Sequence, residues 1–233
     1  MINSGDKTFD AYAEDYDTAL ARGISVSGER KDYFAQRRIE WTRDCLKPFS
    51  PPITRLMDFG CGTGSGSRFF FDILGIEHFV GTDQSPKSLE VARREHGSES
   101  TQFFLFDEYQ PYAHFDLVFC NGVFHHIPPK DRVPAIEYIL GSLRPGGFFS
   151  FWENNPWNPG TRYVMSRIPF DRDAITLSAL EARQLLRSSG FEILQTDFLF
   201  IFPNILRWCR WLEPLCSRLP LGAQYQLLCR KPS

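Results

Sequence analysis

Short apolar runs alternate with helically spaced apolar positions along most of the chain from Arg55 onward. The apolar runs predict strands at Arg55–Phe59, Phe79–Thr82, Phe103–Phe106, Phe115–Cys120, Gly147–Trp152, Phe191–Leu199 and Tyr225–Arg230. The helical spacing predicts helices at Ser65–Gly75, Pro86–Glu95, Pro134–Leu143 and Ser178–Ser188. This alternation is typical of a doubly wound, mostly parallel sheet, so we predict a seven-stranded, Rossmann-like α/β fold. The last two strands lack a regular helical crossover, which leaves room for antiparallel pairing there.

The N-terminal segment has a different pattern, without strand-like runs. Phe9, Tyr12 and Tyr16 are spaced i, i+3 and i+7, as on one face of a helix. A second helix is predicted over Ser27–Lys47, and the prolines that follow it end this segment. We therefore predict one domain, in which a helical cap over residues 1–52 accompanies an α/β core over residues 53–233.

Composition and charge narrow the class of protein. The chain is 42% hydrophobic and 23% charged with a formal net charge of -2, which indicates a globular protein and gives no sign of a nucleic-acid partner. The sequence has neither an apolar signal-peptide core at its start nor an uncharged run of about 18 residues. Its six cysteines include no CxxC pair, so we expect no disulfide framework and a cytoplasmic location.

A glycine-rich loop, Asp58-Phe59-Gly60-Cys61-Gly62-Thr63-Gly64, lies between the first predicted strand and its helix. Glycines there permit a tight turn and a close approach of the backbone to a ligand. The dinucleotide pattern GxGxxG fails, because counting from Gly60 places Ser65 at its third glycine. Asp58 would repel a pyrophosphate, whereas it would attract a ligand that carries an ammonium and a sulfonium group.

A second carboxylate, Asp83, ends the second predicted strand. A carboxylate at this position can accept hydrogen bonds from both hydroxyl groups of a ribose. The alternative is an aspartate that only stabilises a turn after the strand. Because the glycine loop precedes it by about twenty residues, we favour the ribose role.

The chain resembles a class I S-adenosylmethionine-dependent methyltransferase of the small-molecule type. Four features carry the resemblance: the DFGCGTG loop, Gly81-Thr82-Asp83, Phe115–Cys120 leading into Asn121–Ile127, and Arg144-Pro145-Gly146-Gly147. They occur in the order and at the spacing of that family and cover Leu56 to about Phe151. The resemblance implies S-adenosylmethionine as the cofactor and says little about the methyl acceptor.

The resemblance also implies roles for individual residues. Asp58, Gly60, Cys61, Gly62 and Asn121 would surround the methionine part of the cofactor, Asp83 and Gln84 would hold the ribose and adenine edge, and Asp107, with Glu108 as its neighbour, would contact the adenine amino group. The N-terminal cap would act as a lid that brings Tyr12, Tyr16, Tyr33 and Arg37 near the cofactor. Arg37 would pair with the methionine carboxylate and Tyr16 would face the sulfonium. The alternative for these four residues is ordinary helix packing or a solvated helix face.

The candidate catalytic residues are His125, His126 and Glu153. A histidine beside the methyl donor could remove a proton from the acceptor, with His125 favoured because it lies closer to the strand end. The alternative is that one histidine caps a turn and the other is exposed. No further metal ligand is apparent near this pair, so we expect no metal site. Glu153 belongs to the segment Trp152–Pro159, which follows the fifth strand and could form a wall for the acceptor. The alternative is a proline-rich surface turn whose tryptophans serve only for packing.

An aromatic segment, Phe198–Leu212, could pack on the sheet, line an acceptor pocket or touch a membrane surface, and packing is the expectation. The predicted function is methyl transfer from S-adenosylmethionine to an O, N or C atom of a small molecule, which could be aromatic or apolar, by in-line displacement. The rival hypotheses are a non-catalytic protein that binds S-adenosylmethionine and a nicotinamide-dependent oxidoreductase.

Overall fold

A computed structural model describes residues 23–49, 52–110, 113–171 and 174–233. The predicted helix that contains Phe9, Tyr12 and Tyr16 lies outside these residues.

The described residues contain one seven-stranded sheet. Its strands are β1 Arg55–Phe59, β2 His78–Asp83, β3 Thr101–Leu105, β4 Phe115–Asn121, β5 Leu143–Asn154, β6 Glu192–Leu199 and β7 Gln224–Arg230. They lie in the order β3-β2-β1-β4-β5-β7-β6, and the pairs among β1 to β5 are parallel. Strand β7 is antiparallel to both β5 and β6, which confirms antiparallel pairing of the last two strands. The strand order reverses between β1 and β4, and ligands in such sheets bind beyond the carboxyl ends of these strands.

Helices cover both faces of the sheet. They are α1 Lys31–Leu46, α2 Ser67–Leu74, α3 Pro86–His96, α4 Arg132–Ser142, α5 Pro159–Arg167, α6 Ala179–Ser188 and α7 Glu213–Cys216. Apolar side chains of α1, α2 and α3 form one core with the sheet, and those of α4 and α6 form a second core on the opposite face. Successive side chains of a strand point to opposite faces of the sheet, so each strand contributes to both cores. In β1, Leu56 packs into one core, whereas Met57 and Phe59 pack into the other.

Local sequence signals determine several element ends. Helix α6 begins at a capping box in which the Ser178 hydroxyl accepts from the Glu181 N–H while the Glu181 carboxylate accepts from the Ser178 N–H. Helix α5 was not predicted, although Asn158 caps it and Pro159 occupies its first position. Strand β5 extends beyond the predicted Gly147–Trp152 at both ends.

The aromatic segment Phe198–Leu212 divides into a buried part and an exposed part. The Phe198 side chain is buried in the core, and the 3-10 helix Asn204–Leu212 follows later in the segment. The expectation of packing is wrong for Ile205, Trp208 and Trp211, whose exposed fractions are 84%, 71% and 71%. Among the described residues, no helix is long and apolar enough to cross a membrane.

Candidate functional site

A cavity of about 570 Å³ opens at the carboxyl ends of β1 and β4. The glycine loop after β1 and the residues after β4 form its floor. Helix α1 and the segment 200–203 form one wall, and helix α5 with the segment 168–171 forms another. The cavity therefore lies at the switch point of the strand order, where the fold exposes backbone N–H groups and strand-end side chains.

The glycine loop has the conformation that its sequence predicts. Gly60, Gly62 and Gly64 have φ angles of 80°, 55° and 69°, in the left-handed region that favours glycine. A Cβ atom on Gly60 would lie 2.3 Å from Val123 Cγ2, so no larger residue fits there. A Cβ atom on Gly62 would meet open space, because this part of the loop faces the cavity. The loop therefore brings bare backbone to the position that a ligand would occupy.

Two carboxylates flank this loop. Asp58 lines the cavity, and burial together with the charge of Asp83 raises the pKa of Asp58 to about 7, against the opposing effect of Arg38. Asp83 accepts hydrogen bonds from the Gly62 N–H at 2.8 Å and the Ser85 N–H at 2.9 Å. These bonds fix the Asp83 carboxylate at the end of β2. Such a pair of acidic groups attracts a cation and repels a phosphate.

Other residues predicted to contact the cofactor lie along the same edge of the sheet but do not line the cavity. Asp83 pairs in register with Leu105 of β3, and Asp107 follows two residues later. Gln84, Asp107 and Glu108 are exposed. The structure thus brings Asp83, Gln84 and Asp107 to neighbouring strand ends, while Asp58 and Asn121 lie on the cavity side.

Asn121 shows that the cavity fits a ligand with a hydrogen-bond donor. It ends β4 and lines the cavity, and its side-chain oxygen is buried without a hydrogen-bond partner among the described residues. An unpaired buried oxygen costs roughly 1–3 kcal/mol. A donor on a ligand, such as an ammonium group, would remove that penalty.

Helix α1 places a different arginine at the cavity from the one predicted. Arg37 contacts Glu40 at 3.4 Å and lies 5.7 Å from the centre of the Trp41 ring, outside the cavity lining. Arg38 lines the cavity instead, and its Nε–H donates to the Gln224 side-chain oxygen at 2.9 Å. Successive residues of a helix point about 100° apart, which explains why neighbouring arginines have different surroundings.

One of the predicted tyrosines lines the cavity, and the other two lie outside the described residues. Tyr33 lines the cavity, with the guanidinium carbon of Arg210 4.6 Å from its ring centre. Burial raises the pKa of the Tyr33 phenol. Arg210 also pairs with Glu29 at 2.9 Å and therefore ties the 3-10 helix Asn204–Leu212 to the cavity wall. Tyr16 and Tyr12 lie outside the described residues.

The histidine pair follows β4 and lines the cavity. His125 Nδ1–H donates to Glu153 Oε2 at 2.7 Å, and Glu153 also accepts from the Phe124 N–H at 2.7 Å. Burial alone would lower the pKa of His125, but the charge of Glu153 and the neighbouring hydrogen bonds raise it to about 10. Burial alone would raise the pKa of Glu153, and the His125 charge with these hydrogen bonds lowers it instead. Glu153 does not line the cavity, so it holds His125 rather than facing an acceptor.

A residue that the sequence analysis missed completes this cluster. Asp171 Oδ1 lies 3.3 Å from His126 Nε2 and 3.5 Å from His125 Nε2, and all three residues line the cavity. The expectation that no further metal-binding side chain accompanies the histidine pair is therefore wrong. His126 is half-buried rather than exposed. No local motif marks Asp171, because only the tertiary fold brings its 3-10 turn beside β4.

The segment Trp152–Pro159 contributes polar groups to the cavity, and its tryptophans point elsewhere. Asn154 and Asn158 line the cavity. Trp152 is fully buried in the core, whereas Trp157 is 57% exposed. Apolar lining comes instead from other segments, namely Phe34, Ile168, Phe170, Phe200 and Phe202.

Comparisons with known proteins agree with this geometry. Residues 57–149 match the family model described as a methyltransferase domain. Trans-aconitate 2-methyltransferase of Rhizobium leguminosarum is 31% identical over 117 residues, which are 49% of this chain and 44% of that protein. The match thus spans less than half of the length of that curated relative.

Solved structures share the fold at low sequence identity. A methyltransferase in complex with the Trm112 activator of Haloferax volcanii has a TM-score of 0.66 and 21% identity, over 97% of this chain and 98% of that one. Phosphoethanolamine N-methyltransferase 2 of Haemonchus contortus, solved with S-adenosyl-L-methionine, has a TM-score of 0.64 and 16% identity, over 98% of this chain and 61% of that one. These structures share the fold and sheet order of this chain, and residues 57–149 of the chain match a methyltransferase domain.

Proposed function

We propose that this protein transfers the methyl group of S-adenosylmethionine to a small-molecule acceptor. One observation carries the proposal: the acidic pair Asp58 and Asp83 flanks a bare glycine loop at the switch point of the sheet. This arrangement suits a cationic nucleoside without phosphates. It disfavours a nicotinamide dinucleotide, because the pyrophosphate would meet Asp58 at the glycine loop and the GxGxxG pattern has Ser65 in place of its third glycine.

The site residues have complementary roles in this proposal. Asp58 and the side-chain oxygen of Asn121 bind the cofactor's ammonium group, and the backbone of Gly60, Cys61 and Gly62 lies against its methionine part. Asp83 holds the ribose, with Gln84 and Asp107 at the adenine. Arg38 replaces Arg37 as the partner for the methionine carboxylate, since Arg38 lines the cavity. Tyr33 closes the side formed by α1.

The bound cofactor supplies an activated methyl group, so the protein mainly aligns the acceptor and excludes water. The acceptor atom attacks the methyl carbon opposite the sulfur; the new bond forms as the carbon–sulfur bond breaks, and the acceptor gives up its proton. Such alignment lowers a barrier by roughly 7–11 kcal/mol. The proton leaves beside the histidine pair, which lines the cavity. Glu153 and His125 act as positioning residues.

The acceptor combines an apolar body with a polar reacting group. The aromatic lining formed by Phe34, Phe170, Phe200 and Phe202 supports an aromatic or apolar body. The net charge of -2 and the acidic cofactor pocket favour a small molecule over a nucleic acid. We also infer that the chain works as one domain in the cytoplasm, which its six free cysteines support.

Calorimetry with purified protein tests cofactor binding. S-adenosylmethionine and its demethylated product should both bind, and NAD should not. Asp83→Asn should weaken binding at least roughly tenfold, since hydrogen bonds to a charged group contribute about 1.5–3 kcal/mol. The exposed Asp72→Asn is the matched control and should bind like the wild type. Binding of NAD without binding of S-adenosylmethionine would contradict the proposal.

Turnover separates the enzyme from a non-catalytic binding protein. The wild type is incubated with methyl-labelled cofactor and a panel of hydroxyl, carboxyl and amine acceptors that carry aromatic or alkyl bodies. Labelled product from at least one acceptor supports methyl transfer. Tight cofactor binding without turnover across the panel would favour the non-catalytic alternative.

A further inference from the structure

His125, His126 and Asp171 present three potential metal ligands to one corner of the cavity. One ligand atom from each residue lies within 4.8 Å of the other two. The side chains are 3%, 16% and 8% exposed, so they are shielded from bulk water and yet line the cavity. Two imidazoles and one carboxylate form a ligand set that suits zinc and other divalent transition metals.

Two distances within this cluster match those between the ligand atoms of a tetrahedral ion. Asp171 Oδ1 lies 3.3 Å and 3.5 Å from the two Nε2 atoms. A charged N–H···O bond is shorter, about 2.7–2.9 Å, as His125 Nδ1 and Glu153 illustrate at 2.7 Å. A tetrahedral ion with ligand bonds of about 2.0–2.2 Å separates its ligand atoms by roughly 3.3–3.6 Å.

Glu153 prepares His125 to be a ligand. Since the carboxylate accepts from Nδ1–H, a metal ion can replace the proton on Nε2, the nitrogen that points toward Asp171. A histidine that binds a metal through one nitrogen typically donates its other N–H to a carboxylate or carbonyl in this way. Glu153 is itself fixed by the Phe124 and Asn154 N–H groups.

Further bonds hold the two ligand-bearing segments together. The Ile175 N–H donates to the His125 carbonyl at 2.8 Å, which joins the chain after Asp171 to the histidine pair. The Arg132 guanidinium donates to the carbonyls of Ile127 and Ile175, one on each segment. The three ligands are thus preorganised by contacts outside the cluster, which is what a metal site requires.

We propose that His125, His126 and Asp171 bind one divalent transition-metal ion, whose open coordination position faces the cavity and takes an oxygen atom of the acceptor. Three protein ligands with an open fourth position are the pattern of metal sites that bind substrates. The acceptor group that this ion binds is a hydroxyl or carboxylate oxygen. The ion's action on the acceptor rests on the proposed methyl transfer, whereas its binding does not.

Metal binding is measured directly on tag-free protein that has been stripped with a chelator. Calorimetry with Zn²⁺ should give one ion per chain, and Co²⁺ should produce visible absorption bands of a site with nitrogen and oxygen ligands. Asp171→Asn and His126→Gln should each weaken Zn²⁺ binding at least tenfold, and Glu153→Gln should weaken it roughly 10–100-fold. His78→Gln is the matched control, because His78 is exposed at the start of β2 and should leave binding unchanged.

The outcomes are decisive for the site. Absence of Zn²⁺ and Co²⁺ binding in the stripped wild type would overturn the proposal without any variant. Equal Zn²⁺ affinity in the wild type, Asp171→Asn and His126→Gln would also overturn it, because binding would then come from other groups such as the cysteines. Circular dichroism confirms that each variant is folded, and His126→Gln, at the half-buried ligand, is the milder of the two changes. S-adenosylmethionine binding to the stripped protein is measured in parallel, so failure of the metal site and failure of the cofactor proposal are distinguishable.

Discussion

The raised pKa of Asp58 predicts that cofactor binding is linked to proton release. Burial and the charge of Asp83 raise this pKa to about 7, so most Asp58 carboxyls carry a proton at pH 6 before a ligand binds. A cofactor ammonium beside Asp58 favours the charged carboxylate and lowers its pKa again. Binding therefore expels a proton at any pH between the two pKa values.

The size of the pH effect on S-adenosylmethionine binding follows from the titration of Asp58. Well below pH 7, the ionised fraction of Asp58 falls tenfold for each pH unit, so the dissociation constant should rise about tenfold per unit on acidification. Between pH 7 and pH 8 it should change little. The same shift affects folding with a defined sign: the folded state binds more protons than the unfolded chain between pH 3.8 and about 7, so this carboxyl destabilises the fold increasingly as pH rises through that range.

Calorimetric titration of S-adenosylmethionine at pH 5, 6, 7 and 8 measures the slope of the dissociation constant against pH. Repeating the pH 6 titration in buffers of different ionisation enthalpy counts the released protons, which should approach one per cofactor. Asp58→Asn should bind more weakly at pH 8, by about 10- to 150-fold, and should show neither the slope nor the proton release. The exposed Asp72→Asn should behave like the wild type. A dissociation constant that stays constant from pH 5 to pH 7, with no proton release, would refute the reasoning.

Substitutions at three further sites have expected effects on stability or cofactor binding. Gly60→Ala should destabilise the fold by roughly 1–3 kcal/mol in urea denaturation, because its φ is 80° and its Cβ would meet Val123; a stability equal to wild type would contradict the loop geometry. Arg38→Ala should weaken S-adenosylmethionine binding while Arg37→Ala should not, and calorimetry giving the reverse order would restore the original expectation. Glu153→Gln should lower the free energy of unfolding by about 3–5 kcal/mol, because it leaves a buried imidazolium with a weakened partner; a loss under 1 kcal/mol would indicate that this pair contributes little.

The sequence by itself determined the sheet, the glycine loop and the acidic strand ends. Apolar runs of strand length and helical spacing reflect burial on one or two faces, so they can be read locally. The loop between β1 and α2 was equally readable, since left-handed φ angles strongly favour glycine. Asp58 and Asp83 followed from their positions at the ends of those strands, because the carboxyl ends of parallel strands share one edge of the sheet.

Only the tertiary structure decided which side chains meet. Asp171 joins the histidine pair through a 3-10 turn that no local pattern connects with β4. Arg38 rather than Arg37 lines the cavity because of how α1 is rotated about its axis, which packing against the sheet sets. The exposure of Trp208 and Trp211 was likewise hidden, because an apolar residue has the same local signal whether or not another element covers it. Side-chain spacing along the chain encodes faces and turns, whereas contacts between distant segments follow from how the elements pack.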